Sequence, residues 1–504
     1  MTERVYVNTD DVCVSEEDMK YVERVRRRVY SSLDGEEAEV AICVWMYTPK
    51  RLDKLRNCID SVMKYTSHIK FKLVLANNGG GKEIEEFYEN IDYNDKMIIN
   101  ISSNIGSPHG ASVITRHVRN KFCVELLNDC VVTANWLDNL LRCIKSDDTI
   151  GMVCPMATNT SNMQIPDTGD VDIRDLEALQ DFAVKFNVSN PCKWEERMRL
   201  MPICGVYRRE ALEMAGIADP GYLHEFADDD HCMRIRRAGY KLILCGDTFV
   251  HHDHFMDERN VKVEQGNTNV GKNGFLRKFK GIEPWGDLVN FVFPYIRSAT
   301  IADTKEQYRV LGIDVKCGTP ILDVKNCYRR NGIDTEKLCI TGYTQEVKYY
   351  TDLMTVADEV IHDDVHNMRS HLKEKYDFIV LGNPINSYSK SLVVLDELAD
   401  MLTDGGYFLF SLKNLYNIDT LFALLGDGRP QSGQIEAIYY KDICDKIGKL
   451  KLRDATFYQE MTQFNCEEIA MVRNSLVEVG VIAKENEEAT QQWEVNNYWF
   501  IIQK

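Results

Sequence analysis

The feature that most constrains this chain is an alternation, begun at residue 40, of short apolar runs with stretches whose apolar residues recur at helical spacing. Residues 40–47 form one apolar run, and Leu52, Leu55, Ile59, Val62 and Met63 then mark one face of a helix over 52–65. Runs at 71–76, 96–101, 122–127 and 151–154 read as further strands, with a helix at 136–144 among them. Such alternation predicts a mostly parallel sheet covered by helices on both faces. Sheets of this kind bind ligands beyond the carboxyl ends of their strands. The turns after Tyr47, Ala76 and Leu127 are therefore expected to meet in one crevice.

At 504 residues the chain is too long for one ordinary core. Residues 1–38 hold a charged helical run opened by Ser15, with Asp18 completing an N-cap box, and read as an N-terminal helical segment. A first α/β domain is expected over 39–290. Within it, the polar stretch 155–200 reads as a partly helical cover over the crevice, because so long a loop rarely lacks a role. Helical and strand patterns return at 208–215 and 241–245, and the Gly-, Asn- and Lys-rich segment 267–286 is expected to end the domain. A second alternating block, 300–504, would place strands at 310–315, 337–340, 359–361, 378–381 and 406–411.

The net charge of -18 opposes binding to phosphate backbones and anionic lipid surfaces, so nucleic acid is excluded as a partner, though not a local basic pocket for a diphosphate. No two of the 16 cysteines are spaced as CxxC, and most lie in apolar runs. They read as buried thiols of a reducing compartment. No apolar stretch is long enough for a transmembrane segment, and the start carries no apolar leader core, so a cytoplasmic protein is expected.

Three polar clusters carry the chemistry. In Glu125-Leu-Leu-Asn-Asp-Cys-Val-Val-Thr133, Asn128 and Asp129 end an apolar strand, where a carboxylate either caps a turn or holds a divalent cation against a diphosphate. Asp228, Asp229 and Asp230 open a helical stretch. They either complement its dipole or, as adjacent like charges, raise one another's pKa toward that of a general base. His251, His252, Asp253 and His254 follow a strand, and imidazole beside carboxylate favours Mn²⁺-like ions.

In order, these segments resemble the family 2 glycosyltransferases of GT-A fold. Val44-Trp-Met-Tyr-Thr48 resembles the family's first-strand motif near the nucleotide base, and Leu73-Val-Leu-Ala-Asn-Asn-Gly79 its "VVVDNGS", with Asn77 in place of the base-binding Asp. Asn104-Ile-Gly106 is similar to the NxG turn after the third strand. Leu127-Asn-Asp129 falls on the DxD element, its register set by Val131-Val-Thr133 and Trp136-Leu137, and Asp228-Asp229-Asp230 falls on EDxD. Arg237-Ala-Gly-Tyr-Lys-Leu242 continues the match.

The resemblance covers roughly half the chain. It implies a GT-A nucleotide-diphospho-sugar transferase domain that moves a sugar, with inversion, to a hydroxyl of a protein or glycan acceptor. Asp228 is then the catalytic base; Asp129 and His252 hold a divalent metal (Mn²⁺ or Mg²⁺); Tyr47, Thr48, Asn77, Asn104, Gly106 and Asn128 bind the donor. Asp229, Asp230 and His254 fall on the acceptor side. Leu127 stands where the family has the first DxD carboxylate, which reduces charge at the metal. The QxxRW motif of processive relatives is missing, which argues against polymer synthesis.

The second block resembles class I S-adenosylmethionine-dependent methyltransferases through Arg309-Val-Leu-Gly-Ile-Asp-Val-Lys-Cys-Gly-Thr-Pro320, Tyr376-Asp-Phe-Ile-Val-Leu-Gly-Asn383 and Leu402-Thr-Asp-Gly-Gly-Tyr-Phe-Leu-Phe-Ser-Leu-Lys-Asn414. The resemblance implies a Rossmann-like domain and S-adenosylmethionine as a second cofactor. However, the glycine loop is altered, the second strand ends without a clear acid, and Asn383 stands where the family commonly has Asp. Asp363 and Asp364 read as solvated charges. The competing functions are therefore a bifunctional or primarily methyl-transferring enzyme, and a nucleotide-sugar-binding protein without catalysis.

Overall fold

The computed structural model describes residues 3–7, 38–216, 218–219, 221–222, 225–254, 258–418, 420, 435–450, 452–462, 466–480 and 492–504. The chain forms two compact units, Met1–Asn290 and Phe291–Lys504, both mixed α/β.

The first unit is built on strands β1 (Glu3–Val7), β2 (Val40–Met46), β3 (Phe71–Asn78), β4 (Lys96–Ile101), β5 (Phe122–Leu127), β6 (Cys130–Val131), β7 (Ile150–Ala157), β8 (Trp194–Arg197), β9 (Cys204–Arg208) and β10 (Lys241–His252). They form one sheet in the order β1-β4-β3-β2-β5-β9-β7-β10-β6, with β8 on β10. The strands from β1 to β5 are parallel. β2 is buried on both sides. Val40, Ile42, Val44 and Met46 pack with Leu55, Ile59 and Val62 of helix α1 (Leu52–Thr66). Ala41, Cys43 and Trp45 pack with Val113 and Ile114 of helix α2 (Ser107–His117). An unbroken apolar run, rather than an alternating one, is what a strand with two buried faces requires. From β2 the chain winds outward through β3 and β4, then returns to β5 on the other side of β2. The strand order thus reverses between β2 and β5, where open α/β sheets take their ligands.

Several elements differ from the sequence expectation. Glu3–Val7 is not helical: it pairs in parallel with Met97–Ile101 at the sheet edge. The helical run expected after Ser15 lies outside the described residues. β9 was not expected; it enters antiparallel between β5 and β7. β10 runs seven residues beyond the expected end at Cys245, because a register shift between Cys245 and Phe249 absorbs Gly246, Asp247 and Thr248 within the strand. A side chain at Gly246 would meet the Lys193 carbonyl at 2.6 Å, so only glycine fits that bend. Helix α3 (Leu176–Phe186) does not cover the crevice. Its Leu179, Phe182 and Ala183 pack on Phe249 of β10. Within segment 267–286, helix α4 (Glu258–Lys278) runs to Lys278, and Gly271 lets the helix lie against the Phe226 ring.

In the second unit, strands β11 (Tyr308–Ile313), β12 (Leu338–Thr344), β13 (Glu359–His362), β14 (Tyr376–Leu381), β15 (Leu402–Lys413), β16 (Asp454–Met461) and β17 (Val495–Gln503) form a sheet in the order β13-β12-β11-β14-β15-β17-β16. The first five are parallel and β17 is antiparallel to both neighbours. The five strands read from sequence are present, and β16 and β17 add to them. Here the order reverses between β11 and β14.

Candidate active site

At the β2–β5 reversal, asparagines tie three turns together. Asn77 Nδ2 donates to the Gly81 carbonyl at 2.9 Å and its Oδ1 accepts from the Gly80 amide at 2.9 Å, closing the glycine turn. Gly79, at φ +75°, presses on the next turn: a Cβ there would lie 2.1 Å from the Asn104 nitrogen. Asn78 links the same two turns, donating to Asn104 Oδ1 (3.3 Å) and the Gly106 carbonyl (3.1 Å) while accepting from the Ile105 amide (3.1 Å). Asn128 Nδ2 reaches the Trp45 carbonyl at 2.7 Å, and a Cβ at Gly80 would lie 3.0 Å from the Tyr47 carbonyl carbon. The turns after β2, β3 and β5 therefore meet, as expected. The Asn77 and Asn104 side chains are committed to holding turns, however. Tyr47 is exposed, and Thr48 Oγ1 accepts from the Lys50 amide.

The carboxylate of Asp129 is buried between two imidazoles. β6 pairs antiparallel with the end of β10, setting Cys130 opposite His252, and the Asp253 amide donates to the Asp129 carbonyl at 2.9 Å. His252 and His254, two residues apart in an extended segment, point to one side. His252 Nε2 lies 3.4 Å from Asp129 Oδ1 and His254 Nδ1 lies 3.6 Å from Asp129 Oδ2, with the rings stacked at 5.0 Å. His252 Nδ1 is hydrogen-bonded to the Asn159 carbonyl at 3.0 Å, which places the proton on Nδ1 and turns Nε2 toward Asp129. That Nε2 is buried without a hydrogen-bond partner. A ring nitrogen without a hydrogen bond beside an acid, its ring held by a backbone carbonyl from behind, fits a divalent cation. Burial alone would raise the Asp129 carboxyl, but His252 and His254 outweigh it and hold the group well below the usual carboxylate range. Cys130, not singled out in the sequence, is the third potential ligand near Asp129 and His252. Its thiol donates instead to the Ile203 carbonyl, and burial, then the Asp129 charge, push it well up and keep it neutral. The remaining carboxylate and imidazole set suits Mn²⁺ or Mg²⁺. Arg51 Nη1 lies 3.9 Å from Asp129 Oδ2, and Lys54 Nζ bonds Asp253 Oδ2 at 2.5 Å, placing two cations beside the acids.

Asp228 lies in the first turn of helix α5 (Ala227–Arg237). Phe226 precedes it with φ +69°, a conformation that costs a side chain about 1 kcal/mol and is held here by the Phe226 ring against Trp285 at 5.0 Å. Arg199 bonds both neighbouring acids, Nη2 to Asp228 Oδ2 at 3.0 Å and Nε to Asp229 Oδ1 at 2.5 Å. Burial, then the Asp228 charge, push the Asp229 carboxyl well above the usual range, so the single charge of Arg199 is left to Asp228. Asp229 and Asp230 are 1% and 0% exposed, and both are paired with cations of the chain, Asp229 with Arg199 and Asp230 with Arg234 and Lys278.

Asp228, His252 and His254 line one cavity of about 580 Å³, which also takes in Trp45, Leu127, Asn159, Arg199 and Ile203. Segments 158–164 and 199–203 border it, rather than helix α3. Its floor holds residues absent from the sequence expectation, Glu125, Tyr207 and His231. Burial pushes the Glu125 carboxyl up to about 7, against the opposing hydrogen bond from Tyr207.

At the corresponding reversal in the second unit the turns and side chains are tied to one another. A Cβ at Gly382 would lie 2.3 Å from the Asp314 carbonyl oxygen, so the turns after β11 and β14 are in contact. The Asp314 carboxylate accepts from the Gln345 amide, Gln345 Nε2 and the Tyr388 hydroxyl, each at 2.8 Å. Asp363 and Asp364 bond locally, to Asn367, His371 and the His366 amide. The residues present do not fit an adenosyl cofactor, because the side chains that would have to receive it are bonded across the crevice.

No family model and no curated protein matches the chain. Among solved structures it is similar to GalNAc-T7 with UDP, GalNAc and Mn²⁺, at 15% identity over 47% of this chain and 50% of that one, with a TM-score of 0.36. The mannosyltransferase PcManGT from Pyrobaculum calidifontis in complex with GDP-Man and Mn²⁺ is similar at 13% identity over 77% and 88%, with a TM-score of 0.34. A SAM dependent methyltransferase from Archaeoglobus fulgidus is similar at 15% identity over 46% and 99%, with a TM-score of 0.27. The chain thus spans about half the length of the GalNAc-T7 chain it matches.

Proposed function

We propose that the first unit is a metal-dependent glycosyltransferase that moves a sugar from a nucleoside diphosphate to an acceptor hydroxyl with inversion. The observation that carries this reading is the orphaned Nε2 of His252 facing the buried Asp129 carboxylate at the mouth of the cavity that also holds Asp228. Asp129 and His252 hold the divalent cation, which when bound neutralises charge on the diphosphate. Arg51 adds a cation on the same side. The base and ribose lie along the turns at Tyr47, Thr48, Gly106 and Asn128, which the Asn77 and Asn104 side chains keep in shape. Asp228, oriented by Arg199, accepts the proton of the acceptor hydroxyl as that oxygen bonds the anomeric carbon and the diphosphate leaves. The acceptor is a protein or glycan hydroxyl, admitted past His254.

Incubation with a panel of UDP- and GDP-sugars and Mn²⁺, read by thermal shift and donor hydrolysis, tests the reading. Stabilisation by one nucleotide series is expected. Asp228→Asn should keep that stabilisation and lose transfer by on the order of 100-fold or more. No response to any donor would refute the proposal, and full transfer by Asp228→Asn would refute the role of that residue.

A further inference from the structure

The cavity floor carries a second polar group that the metal and Asp228 do not use. β5 pairs with β9 so that Glu125 faces Gly205 and Cys123 faces Tyr207. Residues two apart in a strand share a face, so Glu125 and Tyr207 stand diagonally across the pair, on the same side. Gly205 leaves the room they need: a Cβ there would lie 2.9 Å from the Tyr207 ring. The Tyr207 hydroxyl donates to the Glu125 carboxyl, and no cation pairs with that carboxyl among the described residues. The His231 ring stacks on Tyr207 at 5.8 Å, with Nε2 shielded from solvent and without a hydrogen-bond partner. On the neighbouring strand the register sets Cys43 beside Glu125 and Trp45 beside Leu127. Trp45, its Nε1 donating to Ser107 Oγ at 3.1 Å, therefore forms an apolar wall one pleat nearer the mouth.

The position of Glu125 also bears on Leu127. Both residues lie on the same face of β5, about 7 Å apart along the strand. The carboxylate expected at 127 is thus present one pleat deeper, too far in to share a cation with Asp129 but inside the cavity beyond it. A half-buried carboxyl with spare acceptor sites, a neutral imidazole whose nitrogen lacks a partner, and an indole wall suit a ring with hydroxyls at its edge and C–H groups on its face. We propose that Glu125, with Tyr207 and His231, forms the subsite that selects the transferred sugar by holding its ring hydroxyls while the ring lies against Trp45. This rests on the glycosyltransferase reading and deepens it.

Calorimetric titration of the full chain in Mn²⁺ with UDP and GDP, then with their hexose and N-acetylhexosamine conjugates, tests the assignment. The wild type is expected to bind one sugar nucleotide more tightly than its bare diphosphate. Glu125→Gln should bind the bare diphosphate as the wild type does, while the preference for the conjugate falls by about tenfold or more. Tyr207→Phe should shift the ratio in the same direction, and it serves if Glu125→Gln does not fold. The proposal is overturned if the folded variants keep the wild-type ratio, or if the wild type shows no preference while binding the diphosphate. Failure of the wild type to bind either diphosphate would instead refute the glycosyltransferase reading, and this subsite with it.

Discussion

At the residue scale, burial gives neighbouring carboxyls different jobs. Asp129 is held charged by two imidazoles, whereas Glu125, on the same strand and turn, faces one hydroxyl and no cation. The Glu125 carboxyl is raised from 4.5 to about 7, so between those values the folded chain keeps a proton that the unfolded chain has released. The stabilising contribution is complete below about pH 4.5 and is lost as pH rises through about 7. Each pH unit of that window corresponds to about 1.4 kcal/mol at most. Thermal unfolding from pH 5 to 8 is expected to show Glu125→Gln gaining on the wild type as pH rises. A constant difference between the two across that range would contradict the assignment. Asp129, Asp228 and His252 were legible in the sequence because each sits in an ordered motif. Glu125, Arg199 and Tyr207 were not, since only the antiparallel insertion of β9 and the course of residues 199–203 bring them to the cavity. Nothing local in Cys204–Arg208 announces that pairing.

At the element scale, the site is a set of turns braced against one another. The parallel strands were readable because two buried faces demand continuous apolar runs, as in Val40–Met46. β6, β8 and β9 are two to five residues long, too short to carry a readable pattern, so their place is decided by tertiary pairing. The contact of Gly79 with the 103–104 backbone makes the sharpest test of the bracing. Gly79→Ala adds a side chain at φ +75° and 2.1 Å from the Asn104 nitrogen. We expect a loss of about 2 kcal/mol or more in unfolding free energy, together with weakened nucleotide binding, because both turns must shift. Wild-type stability and affinity in Gly79→Ala would show that the turns are not coupled.

At the scale of the whole molecule, two sheets of related design differ in what they leave open. In the first unit the strand-order reversal opens onto the Asp129–His252 pair and the cavity beyond it. In the second, Gly382 and the Asp314–Gln345–Tyr388 bonds close the equivalent crevice. No described helix is long and apolar enough to cross a membrane. Sequence motifs identified both resemblances, but only the structure shows that Asp314, Gln345 and Tyr388 bond one another at the second reversal. One cation and one nucleotide per chain, both in the first unit, follow from the proposed function. Electron paramagnetic resonance of free Mn²⁺ during titration of the full chain with UDP or GDP present measures this directly. We predict one bound Mn²⁺ per chain in the wild type and a loss of about 100-fold or more in affinity for Asp129→Asn. Equal Mn²⁺ binding by wild type and Asp129→Asn, or none by the wild type, would contradict the account.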